Sequence, residues 1–407
     1  MKWTAWICGL SIWCGGYQTG FAEPLLIDHQ DTDLTALTEA QVQRAKSVLH
    51  IAYGHTSHGS QLTTGMNGLV DFANGGGLGL NLSSNIFDWN NGGSGGALDL
   101  HDYAMGGDVG YYPAWLANTT NYLNNAANSN VNVIIWSWCG QMGDKYSSGT
   151  LTNEYLQPMA DLEAAYPDVI FVYMTGHVDI WDDADNKAAC EVIRDWCSFG
   201  NRVLYDFNDI EHYDPDGNYY EWVNDSCDLY AYAGGSITGN WATAWQDSHI
   251  EDVDWYSCSS AHSQPLNANR KAYAAWALWC QLAADMDRDT LADVWEDAHG
   301  GTHLFAGGTN DCDLDGLTDW QEYILDQSPT NTSAPFVIEG MTPSNSAAME
   351  FSSSAERFYS LKVCENLCDG DWSNVTGRAG TGGMMTLTDE RPKTGVQAYR
   401  VAVSVLE

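Results

Sequence analysis

Four short apolar runs, each followed at once by a polar motif, constrain this chain more than any other feature. The runs are residues 48–53, 131–136, 169–174 and, less cleanly, the stretch that ends at Tyr256. Behind them stand Gly54-His-Thr-Ser-His-Gly-Ser60, Ser137-Trp-Cys-Gly-Gln141, Thr175-Gly-His-Val-Asp179 and Ser259-Ser-Ala-His262. Short β-branched and aromatic runs with helical patterns between them read as buried strands of a parallel sheet. In such sheets ligands bind beyond the carboxyl ends of the strands. Ser, His and Asp gathered at four strand ends would face one crevice, which is how an active site is assembled.

The rest of residues 23–284 fits that reading. Helices are expected over 60–73, 115–127, 156–166, 187–199 and 267–284, with a further strand at 202–207 and a Gly/Asn/Ser-rich loop at 74–96. The expectation is a doubly wound α/β domain of flavodoxin-like type. Residues 285–334 change character: two acidic segments 26 residues apart carry Asp285, Asp287, Asp289, Asp293 and Glu296, then Asp311, Asp313, Asp315, Asp319 and Glu322. Both fill loop positions 1, 3, 5, 9 and 12 of an EF-hand-like calcium site, where carboxylates at that spacing wrap the ion. Gly316 takes the position of the sharpest turn, and Thr290 replaces it in the first loop. The segment resembles the calcium repeats of secreted bacterial proteins, of the dockerin and thrombospondin type 3 kind, which implies a structural Ca2+ linker. Residues 335–407 alternate short strands with Gly/Ser/Asn turns and read as an antiparallel β-sandwich.

The first motif offers Ser57 and Ser60 as nucleophiles at the expected strand-to-helix turn, where a hydroxyl faces the crevice and the following helix N-terminus offers N–H groups to an oxyanion. A serine there also serves as a helix cap, the bland alternative. Serine needs a base, and His262 stands just before the last helix of the domain. This arrangement resembles the SGNH (GDSL-like) hydrolase superfamily over about residues 45–284. The resemblance implies an esterase with Ser57 as nucleophile, His262 as base, Gly107 as the glycine of the second block and Gln141 as the amide of the third. His177 and Asp179, at the end of another apolar run, are candidates for lining the crevice and binding substrate or transition state. The chain departs from the pattern in three places: His55-Thr-Ser57 replaces Gly-Asp-Ser, Gln141 replaces an Asn, and Ser259 stands where an acid would orient the base. Asp254 and Asp179 are the candidate acids. His55, His58, His177, Asp179 and His262 are also acceptable ligands for a catalytic metal, so a metal-dependent hydrolase is the alternative. A non-catalytic, calcium-stiffened glycan-binding protein is a third reading.

Composition narrows the partners. Sixteen Lys and Arg against 54 Asp and Glu give a net charge of −38, which removes the basic footprint that nucleic acid and anionic membranes require. Residues 1–22 pair a positive start with an apolar stretch and the small-residue run Gly20-Phe-Ala22, the pattern of a signal peptide, so a secreted protein is expected. Eighteen tryptophans suggest exposed stacking platforms, and the substrate expected for a secreted esterase of this kind is an extracellular polysaccharide or another ester. Nine cysteines follow residue 22, an odd number, and their pairing, including that of Cys190, Cys197, Cys364 and Cys368, cannot be read from the sequence.

Overall fold

A computed structural model describes residues 23–299, 310–332, 336–343, 347–365, 371–391 and 397–406. The expected signal peptide and Cys368 lie outside the described residues. The chain divides into two compact units, Glu23–Met286 and a second that runs from Asp287.

The first unit is built on seven parallel strands: β1 (Leu25–Ile27), β2 (His50–Gly54), β3 (Trp89–Asn90), β4 (Leu98–Met105), β5 (Val133–Trp136), β6 (Ile170–Met174) and β7 (Val203–Tyr205). Their order is β1-β7-β6-β5-β2-β4-β3. A separate antiparallel pair, β8 (Asp228–Tyr230) and β9 (Ile237–Asn240), belongs to the same unit. From β2 the chain crosses to the edge strand β3, returns to β4 beside β2, and then winds the other way from β5 through β6 to β7, so the topological switch lies between β2 and β5. Successive strand residues face opposite sides. Ile51, Tyr53, Val133, Ile135, Val172 and Met174 enter one core with the last helix, while Ala52, Ile134, Trp136, Phe171 and Tyr173 enter a second core on the other face. A sheet covered on both faces accounts for continuous apolar runs in place of alternation.

The helices are α1 (Glu39–Val48), α2 (Ser60–Asn74), α3 (Ala114–Leu123), α4 (Met142–Ser147), α5 (Gln157–Ala165), α6 (Asp183–Phe199), α7 (Phe207–His212), α8 (Trp241–Ser248) and α9 (Pro265–Leu282). Helix α9 is buried along nearly its whole length and packs closely on α2. A Cβ on Gly65 of α2 would stand 2.1 Å from the carbonyl oxygen of Ala268.

Two readings of the sequence need correction in this unit. The run ending at Tyr256 is not a strand. The Tyr256 N–H donates to the Asn269 side chain at 3.1 Å, and its hydroxyl donates to the Gly65 carbonyl at 2.9 Å, so side chains of α9 and backbone of α2 satisfy it instead of a neighbouring strand. The motif Ser259–His262 therefore sits on the loop entering α9. Strand β4, in contrast, escapes the sequence reading, because Asp99, His101 and Asp102 interrupt its apolar run, although Leu98, Asp99 and Leu100 are all buried.

In the second unit, α10 (Asp293–His299) and α11 (Asp319–Leu325) follow the acidic loops. Two three-stranded antiparallel sheets follow, ordered β10-β11-β14 and β13-β12-β15, from β10 (Gly340–Pro343), β11 (Ala347–Ser352), β12 (Arg357–Cys364), β13 (Ser373–Ala379), β14 (Met384–Asp389) and β15 (Ala398–Val405). Residues 336–338 lie outside these strands, and the Phe336 ring packs against Phe351 and Tyr359. The second acidic loop is joined to the sandwich: Ile324 and Leu325 enter its core, and the Arg357 guanidinium donates to the Ile324 carbonyl at 3.0 Å.

Cys139, Cys190, Cys197, Cys227, Cys258 and Cys280 carry free thiols, so among the described residues of the first unit packing does the work of crosslinks. No helix of the described residues is long and apolar enough to cross a membrane. Gly65→Ala tests the packing of α2 on α9. The clash with backbone should outweigh the gain in helix propensity and cost about 1–3 kcal/mol, read as a lower urea midpoint.

Candidate functional site

Three strand-end segments meet at the switch point. The turn after β2 carries His58, the loop after β5 carries Cys139, and the loop after β6 carries His177. Gly59 lets the first of these approach β5: a Cβ there would lie 2.3 Å from the Ser137 hydroxyl and 2.4 Å from His55 Cβ. His58 is sandwiched between two other imidazoles, stacked on His177 at 3.9 Å and on His262 at 4.4 Å between ring centroids. His58 Nε2 lies 3.1 Å from Asp225 Oδ2, and its Nδ1 lies 3.5 Å from Cys139 Sγ. One ligand atom each from His58, Asp225 and His262 fall within 4.8 Å of one another. His58 and His177 are buried, Asp225 is half-buried, and His262 is exposed at the mouth.

The electrostatics follow from these contacts. Burial disfavours a charged His58, but its bonds to Asp225 and Cys139 outweigh this and raise it to about 9. The same bond to His58 lowers the Cys139 thiol. Burial, reinforced by the neighbouring His58, lowers His177 and keeps it neutral. Its Nδ1 donates to the Val178 carbonyl at 2.7 Å, which leaves the Nε2 lone pair open.

Beneath the cluster lies a buried ion pair. The Lys271 ammonium of α9 bonds Glu211 of α7 and Gln61 of α2, and both Lys271 and Glu211 are almost wholly shielded. Glu211 also accepts from the Val178 N–H at 2.7 Å and from the Asn267 amide at 3.2 Å. Gln61 donates to the Ala261 carbonyl at 2.6 Å. One hub thus fixes the residue after His177 and the residue before His262. His262 itself holds a left-handed backbone at φ 64°, and its carbonyl accepts from the Ser226 hydroxyl at 3.1 Å. Such a conformation costs a non-glycine residue about 1–3 kcal/mol and is typical of functional positions.

The residues singled out in the sequence are distributed around this cluster. Ser57 is half-buried in the same turn as His58; its side chain is not the cap of α2, whose N-cap is Gly59. Among the described residues the Ser57 hydroxyl makes no hydrogen bond to a histidine, and the Ser60 hydroxyl is occupied by the Ser57 carbonyl at 2.6 Å. Gly107 has a left-handed φ of 90° in the loop after β4. Beside it, buried Asp108 collects the Gly110 N–H at 3.0 Å, the Thr56 hydroxyl at 3.4 Å and the Gln141 amide at 3.5 Å. Asp179 caps the Trp181 N–H at 3.0 Å, and Asp254 accepts from the Ile250 N–H at 2.8 Å, so each is engaged by its own loop. His55 is turned away from the cluster: its Nε2 lies 2.7 Å from Asp102, and its ring rests against Tyr53 and Tyr103. Sequence reasoning missed Asp225, which lies in a Tyr/Gly/Asp-rich loop with no periodic neighbours, and passed over Cys139 in favour of Gln141.

In the second unit the two acidic loops share one backbone. Arg288 and Leu314 at position 4, and Thr290 and Gly316 at position 6, all have left-handed φ. At position 7, Leu291 and Leu317 donate to Asp289 and Asp315, each at 2.8 Å. Asp311, Asp313 and Asp315 converge, as do Asp287, Asp293 and Glu296. Asp293, Glu296, Asp319 and Glu322 are buried. Asp285 falls on the other side of the division between the units.

Compared with protein families, with curated proteins and with solved structures, the chain matches none. Lys271→Met would strand a buried carboxylate at the hub and should lower stability by about 3–5 kcal/mol in denaturant unfolding. The double variant with Glu211→Leu should recover much of that loss.

Proposed function

We propose that this chain is a hydrolase of ester bonds, of the SGNH-like kind, acting on acyl groups of an extracellular polysaccharide. The observation that carries the reading is the meeting of the β2, β5 and β6 strand-end motifs with His262 at the switch point of a parallel sheet. In this reading Ser57 attacks the carbonyl and His262, open at the mouth, takes its proton. The N–H groups of Ser57 and Gly107 and the Gln141 amide hold the oxyanion, while His177 and Asp179 shape the crevice. The glycan is favoured by exposed rings at the same edge of the sheet, Tyr103 near the end of β4 and Tyr111, Tyr112 and Trp181 on loops among them. Export through residues 1–22 belongs to this reading, because it brings the enzyme to such a substrate.

The shared backbone and buried acids of the two loops support structural Ca2+ held by Asp285, Asp287, Asp289, Asp293 and Glu296, and by Asp311, Asp313, Asp315, Asp319 and Glu322. Carboxylates removed from water need a compensating charge, and calcium supplies it with oxygen ligands only. Calorimetry on the full chain should show saturable calcium uptake in the millimolar range or tighter, with a chelator lowering the thermal midpoint of the second unit. No uptake at millimolar calcium would overturn the assignment.

The hydrolase is tested on acetylated glycans and small aryl esters. Ser57→Ala and His262→Ala should each lose several orders of magnitude in kcat, because nucleophile and base act as a unit. Gln141→Ala should lose about 10²–10³. Absence of turnover on every ester would remove the esterase reading.

A further inference from the structure

We propose that His58, Asp225 and His262 form a binding site for one divalent transition ion of the zinc type, with His177 available beside them. The inference departs from the serine reading at His262, which would hold the ion instead of acting as the base.

Two observations converge on an ion. The first is spacing. His58 Nε2 and Asp225 Oδ2 stand 3.1 Å apart, and a nitrogen of His262 completes the group within 4.8 Å. Two donors about 2.0–2.2 Å from a single tetrahedral ion are themselves about 3.3 Å apart. Two imidazoles and a carboxylate with an open side are also the ligand set that catalytic zinc uses, leaving a position for water. The open side here is the mouth, where His262 is exposed.

The second observation is the set of partners behind the ligands. A ligating imidazole donates its far N–H to a fixed acceptor and presents the other nitrogen to the metal. His58 does so, with Nδ1 on Cys139 Sγ at 3.5 Å and Nε2 on the Asp225 side. His177 repeats the arrangement, with Nδ1 on the Val178 carbonyl and Nε2 free. Cys139 is then a positioning residue: it orients His58 and does not itself hold the ion.

The set differs from the one the spacing of the sequence suggested: His55 is committed to Asp102 and Asp179 to its own loop, while Asp225 enters.

Such an ion would lower the pKa of a bound water and polarise an ester carbonyl, so water would replace Ser57 as the attacking group. The site is probed with cobalt(II) on the full chain after chelator treatment, in excess calcium to fill the acidic loops. The expected result is one cobalt per chain with the visible absorption of a tetrahedral N/O site, displaced by zinc. His58→Gln and Asp225→Asn should abolish that spectrum, and Cys139→Ser should weaken affinity about 10–100-fold. His55→Gln and Ser57→Ala should leave it unchanged. Thermal melting of each variant separates ligand loss from misfolding, and the wild-type spectrum requires no variant at all. Absence of a tetrahedral spectrum at micromolar cobalt, or its persistence in both His58→Gln and Asp225→Asn, overturns the proposal. Ester turnover that survives without bound metal would leave the serine reading intact, so the two outcomes are distinguishable.

Discussion

The buried pair of Lys271 and Glu211 is the interaction on which the first unit depends. An ammonium and a carboxylate both removed from water are tolerated only when every remaining donor and acceptor is satisfied. Here they are satisfied by Gln61 from α2, Asn267 from α9 and the Val178 N–H beyond β6, with the Phe207 ring 3.6 Å from the ammonium. Helices far apart in sequence are thereby tied to the loops that present His177 and His262. A hydrophobic pair could fill the same space, but it could not fix the register of three helices against two loops.

Above this hub, topology supplies the crevice. Because the chain winds in opposite directions from β2 and β5, the loops beyond these strands diverge and leave room between them. Gly59 closes part of that room by letting the β2 turn touch Ser137, so His58 is held with Cys139 on one side and Asp225 on the other. The left-handed backbone of His262 belongs to the same economy of space: it turns the ring back over His58 at the entrance to α9.

The second unit solves a different problem. A chain with net charge −38 repels itself, and the buried acids of the two loops concentrate that repulsion. The loops share one fold at positions 4, 6 and 7, and Thr290 adopts the conformation that Gly316 takes without cost. The second loop is also anchored to the sandwich through Arg357 and the apolar end of α11. It thus belongs to the same compact unit as the sandwich.

What the sequence determined by itself is whatever depends on short-range pattern. The apolar runs marked β2, β5 and β6, and the 3.6-residue periodicity marked α2, α6 and α9, because burial on both sheet faces and along a helix leaves a local signature. The acidic spacing marked two loops of one conformation for the same reason. Long-range placement was decided only by the tertiary structure. Nothing near Asp225 announces that its loop folds back over His58, and nothing near His55 announces that Asp102 will capture it. The run before Tyr256 looked like a strand until Asn269 and Gly65 took its hydrogen bonds. Local propensity settles which segments are strands and helices, whereas the partners of a polar side chain are chosen by packing between segments tens to hundreds of residues apart.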